Sequence, residues 1–167
     1  DGSAPAPSIA RGISLPEGWE LDLEPEHIGS LQEGLRMVTA PGGTAHFGTA
    51  LEHWDVIGKT GTGQNPLSVR DLAEDHAWFA GMAGPPGERP EIVVVALVEF
   101  GSSGGQVAAP IVAKTADFYL RKKYGIPIDT IQTLREHIMT GPWPSWAPIP
   151  PPRRVATPPD PTAAGGG

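Results

Sequence analysis

Proline and glycine are spread so unevenly along this chain that they decide where it can fold. Together they make up 20 and 22 of its 167 residues, and residues 141 to 167 hold nine of the prolines and four of the glycines, including the runs Pro148-Ile149-Pro150-Pro151-Pro152 and Gly165-Gly166-Gly167. Proline has no amide hydrogen to donate, and glycine loses the most backbone freedom on ordering. Residues 141 to 167 therefore read as a Pro/Gly-rich disordered or polyproline tail. Residues 1 to 18 carry the same bias toward small residues and read as an entry segment or loop. Residues 19 to 140 remain as the part able to build a core.

Charge and composition then remove several classes of function. The formal net charge is −7, and the basic clusters are Arg121-Lys122-Lys123 and Arg153-Arg154. Nucleic-acid binding draws on clustered Lys and Arg to displace counterions, so no nucleic-acid partner is expected. The first cluster falls at the end of an expected helix, where cations complement the macrodipole. The chain has no cysteine, which excludes disulfides and thiolate metal sites. His27, His46, His53 and His137 have no metal-ligand spacing and are expected at the surface, so neither a metal nor a cofactor is expected. No apolar run reaches the roughly 20 residues of a membrane span. The chain opens on Asp1, and the start of the polypeptide is expected upstream.

Periodicity divides the foldable part into helix, three strands and helix. Ile28, Leu31, Leu35 and Val38 recur at helical spacing and predict a helix over 25–39, with Pro25 in its first turn and Pro41-Gly42-Gly43 as its stop. Residues 44–51 read as a loop or short extended piece. Strands are expected over 54–62, 76–83 and 92–100; the last, Ile-Val-Val-Val-Ala-Leu-Val-Glu-Phe, is apolar enough to predict burial on both faces. Short loops between them, including Gly84-Pro85-Pro86-Gly87, imply an antiparallel meander. A second helix is expected over 107–123, with Ala108, Ile111, Val112, Thr115, Phe118 and Tyr119 as its apolar stripe, stopped by Gly125 and Pro127. The fold class is α+β. A three-stranded sheet this apolar also predicts further strands and helices from outside the chain.

The first strand carries the chemistry. Along Val56-Ile57-Gly58-Lys59-Thr60-Gly61-Thr62-Gly63-Gln64-Asn65, side chains alternate, so Thr60 and Thr62 share one face and Lys59 points to the other. An edge strand of this kind can pair with an extended peptide while the two hydroxyls meet a carboxylate. Gly61 allows close approach. The Thr62 N–H can donate to a developing oxyanion, an interaction worth about 3 kcal/mol in acyl transfer. Lys59 supplies positive potential. An ordinary core strand ending in an exposed lysine has the same local pattern. A Walker phosphate loop fails because position 53 is His, and a dinucleotide fingerprint fails because position 66 is Pro.

Lys-Thr-Gly is one of three signatures of penicillin-recognising serine enzymes, beside Ser-x-x-Lys and Ser-x-Asn or Ser-Asp-Asn. None of the eight serines begins either of the other two. The surrounding stretch, from about Leu23 to Tyr124, resembles the C-terminal third of the transpeptidase domain in class B penicillin-binding proteins, the elongation type in particular. The pieces that carry the resemblance are Pro41-Gly42-Gly43-Thr44-Ala45, Ile57 to Gln64, Asp75-His76-Ala77-Trp78-Phe79-Ala80-Gly81, and the glycine loop running into Val107-Ala108-Ala109-Pro110-Ile111.

That resemblance implies a fold of the penicillin-binding protein/serine β-lactamase type, a five-stranded antiparallel sheet between helices, of which this chain holds the last three strands and the closing helix. It implies a peptidoglycan D,D-transpeptidase at the outer face of the bacterial plasma membrane, membrane-anchored and part of a cell-elongation complex. A serine attacks the D-alanyl-D-alanine end of a stem peptide, D-alanine leaves, and a neighbouring amine resolves the acyl-enzyme; β-lactams acylate the same serine. Carried onto matching positions, Lys59 is the lysine of the third motif, Thr60, Gly61 and Thr62 bind the substrate's end, and the Thr62 N–H completes the oxyanion hole. The nucleophile lies outside the chain, so activity is expected of the full-length protein and not of this fragment. The rival readings are a D,D-carboxypeptidase or serine β-lactamase on the same fold, and a non-catalytic β-lactam sensor or cell-wall binding module.

Other candidates have plainer roles. Asp75 and His76 are adjacent on an extended chain and face opposite ways, so a structural role outweighs an acid–base dyad. Trp78 and Phe79 are expected to pack against the last helix and its neighbour, and Gly101 to Gly105 to form a strand-to-helix turn rather than an anion nest. Trp143 and Trp146 fit either a partner-binding segment or a linker.

Overall fold

The structure is a computed structural model that describes residues 3–4, 17–64, 74–128 and 132–148. The elements are β1 (Ser3–Ala4), β2 (Trp19–Glu20), α1 (Pro25–Thr39), α2 (His46–Thr49), β3 (Asp55–Gly63), β4 (His76–Gly84), β5 (Ile92–Val98), a π-helical turn (Gly104–Ala108), α3 (Ala109–Tyr124) and α4 (Leu134–Thr140). β3, β4 and β5 form the antiparallel meander in that order. β1 and β2 make a separate two-residue pairing. The α+β class expected from the sequence is the class observed, and α1 keeps its expected bounds. α2 is a single helical turn where the sequence indicates only a loop or extended piece.

One face of the meander is the core. Ala77, Phe79 and Ala83 of β4 and Val56 of β3 pack against Ala108, Ala109, Val112, Ala113, Ala116 and Leu120. α3 thus buries its small residues and leaves Ile111, Phe118 and Tyr119 roughly half exposed, which corrects the expected stripe. Alanines let the helix axis come close to β4, and Phe79, with no exposed surface, fills the space between. β5 is likewise buried on one face only. Val93, Val95 and Leu97 are 67%, 57% and 47% exposed, so the run of apolar residues does not mean burial on both sides among the described residues. Trp78, on the same face as these three, is also exposed. α1 buries none of its residues.

A buried polar knot ties the C-terminal half of α3 to the entry of β3. Trp54 donates its indole N–H to Asp117 Oδ1 at 2.6 Å, and Arg121 donates Nε–H to the same oxygen at 2.8 Å. Arg121 Nη1 also donates to the Pro127 carbonyl at 2.8 Å, which holds the chain after Gly125, whose φ of +70° caps the helix. Asp117 is 2% exposed. Both donors lose their acceptor together in Asp117→Ala, and stranding a buried guanidinium costs about 3–5 kcal/mol. Denaturant unfolding should show that loss, with Asp117→Asn, which keeps a hydrogen-bonding oxygen, falling between.

α4 has no counterpart in the sequence reading. Thr133 and Glu136 form a capping box, Leu134 is fully buried, and the Leu134 N–H donates to the Ala50 carbonyl at 2.9 Å. Beyond it, Trp143 stacks edge-on against Phe47 and donates to the Ala147 carbonyl, and Ala147 is buried. Residues 141–148, assigned by composition to the tail, thus make contacts with the body; the rest of that assignment, 149–167, lies outside the described residues. Partial burial pushes the Glu136 carboxyl up, but hydrogen bonds from Lys114 and from Thr133 outweigh it and hold the group below the ordinary 4.5. A depressed folded value means the contribution is present above 4.5 and is lost as pH falls through the lower folded value. Hydrogen exchange at the Leu134 amide should therefore accelerate relative to the chain's other core amides only in that acidic window, whereas Glu136→Gln should show the faster relative exchange at every pH.

Candidate active site

β3 pairs with β4 and with no other described strand. Its far half carries the expected residues in register with the core strand: Lys59 opposite Ala80, Thr60 opposite Phe79, Gly61 opposite Trp78 and Thr62 opposite Ala77. Ala77 and Phe79 are on the face covered by α3, so Thr60 and Thr62 project to that side and Lys59 to the other, as alternation requires. Lys59 and Thr62 are exposed, and Thr60 and Gly61 are partly buried. Lys59 Nζ donates to the Thr60 carbonyl at 2.7 Å, which keeps the ammonium at the strand rather than extended into solvent.

Two further segments converge on this half-strand. Gly42, with φ of +93°, turns the chain back under α1, and the Ala45 N–H donates to the Val38 carbonyl at 3.0 Å. Thr44 is thereby delivered with its Oγ1 3.4 Å from Thr60 Oγ1. From the other side comes the turn before α3. A Cβ on Gly104 would lie 2.3 Å from the Trp78 carbonyl oxygen and 2.8 Å from that of Gly61, and one on Gly105 would lie 2.2 Å from the Thr44 carbonyl oxygen. Only a Gly-Gly pair can fit between the strand backbone and Thr44, and it sets Thr44 beside Thr60. The sequence reading named Thr60 and Thr62 as site residues, but Thr44 only as part of a motif piece and Gly101 to Gly105 only as a turn. Thr44 sits in a Gly-Gly-Thr loop with no periodicity, so only the closing of the chain shows where it goes.

The remaining sequence candidates separate from this cluster. His76 Nδ1 accepts the Phe100 N–H at 3.2 Å and its ring leans on Phe100; Asp75 accepts Ser102's N–H through its main-chain carbonyl at 2.8 Å. The pair holds the loop after β5, where Phe100 and Ser102 adopt positive φ. His46, expected at the surface, is 3% exposed. It reaches the Thr39 carbonyl from Nδ1 at 3.0 Å, and because a carbonyl only accepts, that nitrogen carries the proton. The single turn of α2 buries it, and a lone polar residue in a loop gave no sign of that turn. Among the described residues no three His, Asp or Glu side chains gather to hold a metal, and no helix is long and apolar enough to cross a membrane.

The half-strand offers two hydroxyls on its α3 face and, from the other face, an ammonium folded back onto the Thr60 carbonyl, groups able to bind a carboxylate beside a polarised carbonyl. Gly104→Ala should force the wedge off β3 and cost about 1–3 kcal/mol by overpacking, read as a lowered melting temperature. Gly29→Ala, in α1 with nothing within 4 Å of the new methyl, should instead stabilise by about 0.5–1 kcal/mol.

Comparison with known proteins shows the family and the fold. Residues 1–117 match the model of the penicillin binding protein transpeptidase domain. No curated protein matches the chain. Among solved structures, Pseudomonas aeruginosa PBP2, crystallised in complex with WCK 5153, is 28% identical with a TM-score of 0.54, over 72% of this chain and 26% of that one. The transpeptidase domain of Burkholderia pseudomallei penicillin-binding protein 3 is 24% identical with a TM-score of 0.51, over 73% of this chain and 37% of that one, a likeness of fold. The chain thus spans about a quarter of the length of the first of these.

Proposed function

The chain belongs to the penicillin-binding protein transpeptidase domain family, and from that premise we propose that it forms the C-terminal wall of the active site of a class B, elongation-type peptidoglycan D,D-transpeptidase. The observation that carries the proposal is the half-strand Lys59 to Thr62, free of any described strand on its outer side, with Thr44 fixed against Thr60. The nucleophilic serine belongs to a longer polypeptide, since no serine here is followed by lysine at the third position, and residues 19–140 are the C-terminal portion of its domain. The full protein is membrane-anchored, acts on the cell wall at the outer face of the plasma membrane and works within a cell-elongation complex; the fragment alone is inactive.

In this reading the stem peptide lies along the outer edge of β3. Thr60 and Thr62 hydroxyls take its terminal carboxylate, and Lys59 holds that end of the site positive. The serine oxygen adds to the penultimate D-alanine carbonyl, whose oxygen becomes an anion beside the Thr62 N–H and the serine's own N–H. Collapse breaks the peptide C–N bond, and D-alanine departs as the amine after taking a proton. An amine from a second stem peptide then attacks the ester, the bond to the serine oxygen breaks, and that oxygen regains a proton. No metal or redox partner enters the balance. β-Lactams present a carboxylate and a strained amide in the same relation, so they are expected to acylate the same serine.

The test uses the full-length protein and a fluorescent penicillin. Wild type should be labelled at the serine, and Lys59→Ala should slow labelling about 100-fold or more. Thr60→Val, which deletes a carboxylate contact but keeps the strand, should weaken binding before acylation rather than the acylation step. A folded full-length protein that penicillin does not label would overturn the enzyme and leave the binding module. Release of labelled donor to water instead of amine would favour the carboxypeptidase.

A further inference from the structure

The strand that carries Lys59 to Thr62 ends at Gly63, which stands opposite His76, the first residue of β4. Beyond that end lies a strained corner. Phe100 and Ser102 hold φ of +56° and +62°, and Asp75 Oδ1 is buried without a hydrogen-bond partner. Strained backbone and an orphaned buried oxygen persist where surrounding contacts enforce them. Two hydrogen bonds enforce this corner: the Phe100 N–H donates to His76 Nδ1 at 3.2 Å, and the Ser102 N–H donates to the Asp75 carbonyl at 2.8 Å. Gly101 lies between them, so near the sheet that a Cβ would stand 2.9 Å from that of Ala77. The corner then runs directly into the site. Ser103 donates its N–H to the Gly101 carbonyl at 2.7 Å, and Gly104, next in the chain, seats against the Gly61 backbone, where a Cβ would be 2.8 Å from the carbonyl oxygen and 3.2 Å from the amide nitrogen. Where Phe100 is held thus bears on the half-strand through a short, closely packed path.

One of the two bonds depends on a proton. A backbone N–H only donates, so His76 Nδ1 presents its lone pair, and the ring is the neutral form with its hydrogen on Nε2. Protonation makes Nδ1 a second donor facing the Phe100 N–H, and the attraction is lost. Histidine is the side chain whose charge ordinarily changes between about pH 5 and 8. The ring is half-buried against Phe100, with centroids 5.1 Å apart. The charged groups on the elements around it are Glu74 and Asp75 leading into β4, Glu99 beside Phe100, and Lys59 farther along β3; Gly63 faces it across the ladder, and the turn Gly104–Ala108 has no charged residue. In α3 the first turn has no acidic residue, and Lys114 is paired with Glu136.

We propose that His76 is a positioning residue that makes acylation pH-sensitive: neutral, it pins the loop after β5 so that Gly104 seats on Gly61; protonated, it releases Phe100 and the edge loses its fixed geometry. The inference rests on the transpeptidase reading for what the edge does, and on the hydrogen bond alone for the switch. His76 acts through the loop and exchanges no proton with the substrate. The sign follows from the lone pair. The contact is present while the ring is neutral, so acylation is fastest above the ring's titration and is lost as pH falls through it.

The test follows the full-length protein between about pH 5 and 8 with two readouts: the rate of labelling by fluorescent penicillin, and hydrogen exchange over residues 99–106 corrected for the intrinsic pH dependence of amide exchange. His76→Asn keeps a side-chain oxygen able to accept where Nδ1 stands and does not titrate, whereas His76→Phe keeps a ring without an acceptor. Across that range wild type should lose about tenfold more labelling rate than His76→Asn, in a one-proton step, and protection over 99–106 should fall with it. His76→Phe should label about tenfold slower and exchange faster at every pH. Equal pH profiles in wild type and His76→Asn, or protection in wild type that does not change with pH, would overturn the switch and leave the transpeptidase standing. Wild-type protein that is never labelled would overturn the transpeptidase reading, and exchange would still decide the switch: protection that falls in wild type but not in His76→Asn upholds it, and equal protection in the two overturns it.

Discussion

The wedge made by Gly104 and Gly105 is the contact on which the rest of the molecule turns. It lies against the carbonyls of Trp78 and Gly61 on one side and against that of Thr44 on the other, closer than any side chain would permit. Because the wedge runs straight into α3, the same approach sets the height of that helix above the sheet. The alanines of its inner face, with Val112 and Leu120, and the ring of Phe79 then fill the layer between helix and sheet. A bulkier turn would raise the helix, open the layer and release Thr44 from Thr60. Core and candidate site thus share one steric requirement, so the site's geometry draws on the stability of the core.

The exposed surfaces fit the same architecture. α3 presents Ile111, Phe118 and Tyr119 outward, and the sheet presents Trp78, Val93, Val95 and Leu97 on the face away from α3. Apolar exposure on this scale marks surfaces of contact, and the chain spans about a quarter of the length of a structural relative. The buried Trp54–Asp117–Arg121 knot ties α3 to the entry of β3, and the capped α4 docks through Leu134 onto Ala50.

How much was legible depended on the range of the signal. The bounds of α1 and the order of three antiparallel strands follow from periodicity and turn residues, which act over a few positions. The apolar stripe of α3 was misjudged because hydrophobic size was taken as the mark of burial, when the distance between helix and sheet rewards small residues. β5 was misjudged for a related reason, since a continuous apolar run does not by itself say which of its two faces is covered. His46 and α4 escaped notice because neither place follows from periodicity: His46 is buried by a single turn that caps back onto Thr39, and α4 is held by Ala50 and Lys114, far along the chain.

The sequence by itself determined the chemistry of the edge strand. Lys59, Thr60, Gly61 and Thr62 alternate by the pleat of any strand, so which side chains share a face was settled before folding. Only the tertiary structure decided what stands beside them. Thr44 reaches Thr60 across 16 positions, and Gly104 meets Gly61 across more than 40. Contacts of that separation are fixed by closure of the whole chain against its loop entropy, and no local pattern of residues encodes them.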